Sequence, residues 1–288
     1  MGNIIPREKI KHLEWTGEQD SQVKQDTKKE LNTSDSYITN ERILQGRSFS
    51  DDDLSQALEN ALVYGGNEGV VTMPELISAR VKAEKDHFLW QNHFDVHTEE
   101  YIGIDHDGIL GSSNRGLVLI VHGGGLLTPD QIREAYDKRL ENGSAVLTQD
   151  EFNQLLRGEN FEDREFPLYG IDEIQEGVSG LPHRFEVYMS FSEAQSTKSG
   201  YHDKTSFLAN RLVIARNGGT QNLEAYFGEI NGSEGSLGNW HIYSDKEINK
   251  PSGRLLYLDS DYFGLNGYFD LGNNGRFLGV APEARAKK

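Results

Sequence analysis

The sequence predicts an α+β fold, with helices mainly in the first half and short Gly/Asn-linked strands forming a sheet with the second half. Three observations carry that expectation. Helix-start signals crowd residues 50–151, the clearest strand patterns lie at 117–121 and 185–191, and the stretch from Asn217 to Gly279 is rich in turn-forming Gly and Asn.

The helices are placed by their starts. Ser50, followed by Asp51, Asp52 and Asp53, gives a cap and an acidic first turn, and Leu54, Leu58, Ala61 and Leu62 follow at helical spacing. Thr72 with Glu75 spells a capping box, and Ile77, Val81 and Phe88 extend the stripe, with Trp90 and Phe94 beyond it. Thr128 with Gln131, behind Pro129, and Thr148 with Glu151 mark two more starts. Gly143 and Gly158 stand where helices are expected to stop.

Strands are placed by apolar pattern. Leu117–Val121 is a continuous apolar run, as a strand buried on both faces requires. Phe185, Val187, Met189 and Phe191 alternate with Arg184, Glu186, Tyr188 and Ser190. Arg211–Arg216, Arg254–Leu258 and Arg276–Val280 are shorter candidates. Residues 1–48 read as a polar, partly flexible arm, with Ile4, Ile5, Ile10, Leu13 and Trp15 as anchors, and residues 49–288 as one compact domain.

The composition excludes several functions. The chain's 46 acidic and 29 basic residues give a net charge of −17, which repels phosphate backbones and anionic lipid. Nucleic acid and membrane are therefore not expected as partners; a small molecule or a protein is. No cysteine is present, which removes disulfides, zinc–thiolate sites and thiol nucleophiles. Met1–Lys11 has no apolar h-region and no run approaches a membrane span, so cytoplasmic residence is the expectation.

Four constellations bear on chemistry. In the first, the apolar run ends at His122 and is followed by Gly123, Gly124 and Gly125. Glycines let backbone N–H groups approach a ligand, and a helix start beyond them favours an anion. His-Gly-Gly-Gly resembles the oxyanion-hole motif of α/β-hydrolase esterases, but the Gly-x-Ser-x-Gly elbow of that family does not occur in the chain. In the second, Asp86–Asp107 holds four of the nine histidines. His93 and His97, four apart, can share one divalent metal only if the helix begun at Thr72 runs through His97, because extended chain would part them by about 13 Å.

The third is Asp105-His106-Asp107-Gly108, which is similar to the first motif of haloacid-dehalogenase-type phosphatases. That resemblance implies Asp105 as nucleophile, Asp107 as general acid and bound Mg²⁺, with Asp259 and Asp261 as further ligands; Ile109 stands where the family has Thr. The fourth is a pair of Gly-rich loops carrying Trp240 and His241, suited to polar small-molecule contacts or to plugging the core. Together these favour a soluble ligand-binding or hydrolytic enzyme built on the His122–Gly125 segment, with a metal at His93 and His97. The alternatives are a non-catalytic structural or protein-interaction protein and a Mg²⁺-dependent phosphatase; whether the chain is catalytic is left open.

Overall fold

A computed structural model of the chain describes residues 38–159, 166–231, 235–241, 243, 248–260, 264–267 and 271–282. Most of the expected arm, and with it Ile4, Ile5, Ile10, Leu13 and Trp15, lies outside the described residues, as does Asp261. Residues 38–48 pack on the body: Ile38 and Ile43 are buried in the core.

The elements run in this order. Helix α1 (Asn40–Leu44) and strand β1 (Arg47–Asp51) lead into α2 (Leu54–Gly65) and α3 (Met73–Lys82). Then come α4 (Phe88–Gln91) and a long hairpin, β2 (Phe94–Asp105) with β3 (Arg115–His122). Next are α5 (Pro129–Glu134), a π-helical turn at Ala135–Arg139, β4 (Leu140–Glu141), β5 (Ser144–Val146) and α6 (Gln149–Leu156). The chain continues through β6 (Leu168–Gly170), α7 (Ile171–Glu176), β7 (Phe185–Ser190), α8 (Phe191–Ser196) and β8 (Gly200–Asp203). It closes with α9 (Lys204–Leu208), α10 (Arg211–Arg216), α11 (Leu223–Asn231), β9 (Ser236–Trp240), β10 (Ser252–Leu258), β11 (Leu265–Asn266) and β12 (Gly275–Gly279).

The strands form one mixed sheet in the order β6-β7-β3-β2-β10-β11-β9-β8, with β12 and β1 added beside β2, and β5 and β4 beside β10. This is the expected α+β class. The central hairpin is buried on both faces. Val96, Ile102, Val118 and Ile120 join the cluster under α3, α10 and α11. Tyr101, Leu117, Leu119 and Val121 join the cluster under α2, α5 and α6. Two covered faces explain why Leu117–Val121 is apolar without alternation.

Local signals are resolved differently in several places. Asp53, not Ser50, caps α2, accepting from the Ser55 amide at 2.8 Å, while Ser50 and Asp51 belong to β1. The Thr72/Glu75 and Thr148/Glu151 boxes form as expected, with the Thr72 amide donating to Glu75 at 2.9 Å and the Thr148 amide to Glu151 at 2.6 Å. Gly143 does not stop a helix. It follows Asn142 in the two-residue turn between β4 and β5, with φ of 77° and 51° at the two positions. Arg211–Arg216, expected as a strand, is helix α10, capped by Asn210, whose Oδ1 accepts from the Leu212 and Val213 amides. A short apolar run fits a buried helix as well as a strand. No helix among the described residues is long and apolar enough to cross a membrane.

Candidate functional site

The triple glycine follows β3 where the chain turns tightly over the end of β2. Gly123 and Gly124 hold φ of 86° and 88°, a left-handed backbone that side chains rarely adopt. A Cβ on Gly123 would lie 2.5 Å from Arg184 Cγ, one on Gly124 would strike the His97 ring, and one on Gly125 would lie 2.7 Å from Glu99 Oε2. The loop's amides are all spent inside the protein. Gly123 and Gly124 donate to the His97 carbonyl at 2.7 and 3.3 Å. Gly125 donates to Glu99 Oε1 at 2.8 Å, Leu126 to the Tyr101 hydroxyl at 2.7 Å, and Leu127 to Glu99 Oε2 at 3.2 Å. The Tyr101 hydroxyl also donates to Glu99 Oε2. Five consecutive amides therefore bind their own sheet, which corrects the expectation that they present an anion hole.

His122 is sealed. It has no exposed surface, its ring stacks on Phe185 at 4.3 Å, and both nitrogens are engaged. Nε2 faces the Ala215 carbonyl at 3.1 Å and so carries the proton; Nδ1 faces the Thr98 hydroxyl at 3.2 Å and accepts. Burial pushes His122 down to about 3, outweighing the opposing pull of the Ala215 carbonyl. A neutral imidazole with both nitrogens occupied and no solvent path cannot pass a proton to or from a substrate. This corrects its reading as a catalytic base.

The glycines do converge with one other predicted residue. Gly123, Gly124, Gly125, His97, Glu99, Thr128 and Arg184 line a small cleft of about 80 Å³ under α2. His97 is 6% exposed, and its Nδ1 has no hydrogen-bond partner. Burial, followed by the nearby His183 and Arg184, pushes it down to about 3, so the ring is neutral.

The metal condition at His93 and His97 is not met. The helix begun at Thr72 ends at Lys82, His93 precedes β2, and His97 lies inside that extended strand. Among the described residues, no group of three or more His, Asp or Glu side chains is placed to hold a metal ion. The phosphatase pattern is likewise corrected. The Asp105 carboxylate accepts from the Ile109 and Leu110 amides, both at 2.8 Å, and shapes the turn of the hairpin. Asp107 accepts from Asn153 at 3.0 Å. Asp259 follows β10 at Leu258, which pairs with Phe94, the far end of β2 from Asp105. Eleven residues of strand span about 36 Å, too far for one site.

The last predicted pair, Trp240 and His241, lies near the sheet's β8 edge. Tyr201 of β8 is 46% exposed and meets the half-buried Trp240 ring edge-on at 5.5 Å. His241 stacks on Tyr243 at 4.5 Å, and its amide donates to Ser199 Oγ at 3.1 Å. Beneath this surface lies an arginine that the sequence gave no reason to single out. Arg216 has no exposed surface and forks onto Glu100 Oε2 at 2.9 and 2.7 Å. Its Nη1 reaches Asn239 Oδ1 at 2.8 Å, the Trp240 carbonyl at 2.9 Å and the Leu265 carbonyl at 3.3 Å. Arg254 donates to the Gly267 carbonyl at 2.8 Å. Arg80 donates to the carbonyls of Leu89, Asn92 and Asp259. Three buried guanidiniums thus hold this half of the molecule largely through backbone oxygens.

The architecture has a counterpart among solved structures. One chain, from work described as "Accommodation of massive sequence variation in Nanoarchaeota by the C-type lectin fold", is 27% identical with a TM-score of 0.64, and the match covers 82% of this chain and 97% of that one. This chain has a C-type lectin-like fold neighbour. No protein-family model matches it, and no curated protein matches it.

Proposed function

We propose that this chain is a non-catalytic binding protein that presents the surface around Tyr201, Trp240 and His241 to a protein partner. The carrying observation is how that surface is held. Arg216 grips β9 and β11 mainly through the carbonyls of Trp240 and Leu265, and Arg254 grips Gly267 the same way. A backbone carbonyl is present whatever the side chain, so the frame persists while the outward side chains are left to recognition. An exposed tyrosine beside a half-buried tryptophan is the kind of anchor on which interfaces depend. The similar chain comes from work on massive sequence variation accommodated by the C-type lectin fold, and we propose that a division between frame and contact surface allows such variation here.

The test is site-specific photo-crosslinking in the source cells. A crosslinker at position 201 is expected to give a discrete covalent adduct that the same probe at Val63, 83% exposed on α2, does not give. Equal, diffuse labelling at the two positions would overturn the reading.

A further inference from the structure

Strand β1 reads Arg47-Ser48-Phe49-Ser50-Asp51, with opposite charges at its ends, serines inside them and a phenylalanine at the centre. Turned end for end, it complements itself. It is also an edge of the sheet, since among the described residues β12 is its only strand neighbour. The two strands pair without a bulge from Arg47 with Gly279 to Asp51 with Gly275, and β1 holds no proline. Bulges and prolines close many sheet edges; this one has neither, and its charges sit only at its ends.

The register shows which backbone groups are open. On β12 the Arg276 amide donates to Asp95 at 2.8 Å and the Leu278 carbonyl accepts from the Val71 amide at 3.0 Å, both away from β1. The Val280 amide just beyond turns the same way, to the Gly69 carbonyl at 2.7 Å. Backbone groups alternate sides along a strand, so Gly275, Phe277 and Gly279 face Asp51, Phe49 and Arg47. Ser48 and Ser50 are left with N–H and C=O pointing away from the sheet, without a hydrogen bond to any of the described residues. Both serines are exposed, with their side chains on one face of β1. Arg47, Phe49 and Asp51 share the other face, where the Phe49 ring lies 5.3 Å from Tyr64 of α2 and Arg47 lies over Phe49.

We propose that two copies of this chain pair through β1, antiparallel about Phe49, and join their sheets edge to edge. A twofold axis at Phe49 sets Ser48 opposite Ser50 of the second copy, and Ser50 opposite its Ser48. The open groups then meet as hydrogen-bonded pairs that use every free N–H and C=O of the two serines. The same axis sets Arg47 opposite Asp51 of the second copy, and Asp51 opposite its Arg47, on one face of the joined sheet. A strand of another protein would have to supply both matches separately; a second copy has them by symmetry. The pairing uses no residue of the Tyr201 surface, so either reading can fail alone.

The experiment is sedimentation equilibrium of the full chain at about 0.15 M salt, where repulsion between two chains of charge −17 is screened beyond about 8 Å. A reversible monomer–dimer equilibrium is expected, with the Ser48 and Ser50 amides exchanging hydrogen more slowly in the dimer than in dilute monomer. Ser48→Pro removes an N–H that the pairing of β1 with β12 does not use. It is expected to abolish the dimer without moving the melting temperature of the dilute chain. Arg47→Asp and Asp51→Arg each set like charges opposite one another and are each expected to weaken the dimer at least about tenfold. Mixed one to one, the two variants restore both charge pairs, and association is expected to return. A chain that stays monomeric at every concentration, leaving the edge to another protein, would overturn the proposal. So would a dimer indifferent to Ser48→Pro, or a mixture that associates no better than its components. Ser48 and Ser50 amides already protected in the monomer would overturn it too, because another segment of the same chain would then cover the edge.

Discussion

At the scale of single residues, the polar groups of β2 decide how the centre of the sheet is held together. Asp95, His97, Thr98, Glu99 and Glu100 are all at most 8% exposed, a run that reads in sequence as a solvated face. Most have an internal partner that accounts for their burial: Asp95 takes the Arg276 amide at 2.8 Å, Thr98 takes the Met73 amide at 3.0 Å, Glu99 takes the glycine loop, and Glu100 takes Arg216. Glycine at 124 follows from the same packing. Gly124→Ala puts a methyl into the His97 ring on a backbone with φ of 88°, and is expected to lower stability by about 2 kcal/mol or more in a denaturant titration. Glu186 is the exception among the partners: fully buried, both oxygens lack hydrogen bonds, and burial, then Glu99 nearby, push it well above the usual carboxylate range. A neutral acid there loses little by becoming an amide. Glu186→Gln is expected to shift the denaturation midpoint far less than Gly124→Ala does.

At the scale of elements, the buried arginines set the path of the C-terminal strands. Arg216→Met leaves Glu100 without its charged partner and frees the Trp240 and Leu265 carbonyls, a loss of about 3–5 kcal/mol. Hydrogen exchange is expected to accelerate first at β9 and β11; uniform acceleration across the sheet would show that Arg216 is not the local clamp. This is also where sequence reading met its limit. Caps and apolar runs are local signals, so the Thr72 and Thr148 helix starts and the strands at 117–121 and 185–190 were legible. Asn142-Gly143 is a hairpin-turn signal too, since both positions take positive φ, but it stands between two helix starts, where a glycine equally fits a helix stop. Arg216 sits in a six-residue apolar helix that resembles a strand, and its partners Glu100, Asn239 and Leu265 are up to 116 positions away. Nothing local marks such a residue. The polar run of β2 misled for a related reason: alternation of polar and apolar residues reports exposure only where burial is not offset by partners from distant segments.

At the scale of the whole molecule, these buried titratable groups give stability a two-sided dependence on pH. His97 and His122 have pKa values of about 3 in the folded chain against 6.5 when unfolded, so between those values the unfolded chain binds more protons. Stability from this source is present above pH 6.5 and is lost as pH falls toward 3. Asp95 works in the opposite sense. Burial raises it to about 7 from 3.8, so the folded chain holds the proton more tightly, and stability falls as pH rises from about 4 to 7. Glu99 and Glu186, also raised by burial, add to that fall. Below about pH 4 the carboxyls raised by burial no longer contribute, and the histidines act in the same sense as Glu75, whose carboxyl is held low beside His183; above 6.5 the raised carboxyls dominate. The melting temperature is therefore expected to peak on the acid side of neutrality rather than at pH 7–8. Asp95→Asn keeps an oxygen for the Arg276 amide while removing the titration. It is expected to raise the melting temperature at pH 8 while leaving it almost unchanged at pH 4, where Asp95 is protonated in the folded chain. A variant that shifts both temperatures equally would mean that Asp95 acts through packing and that its proton is not linked to folding.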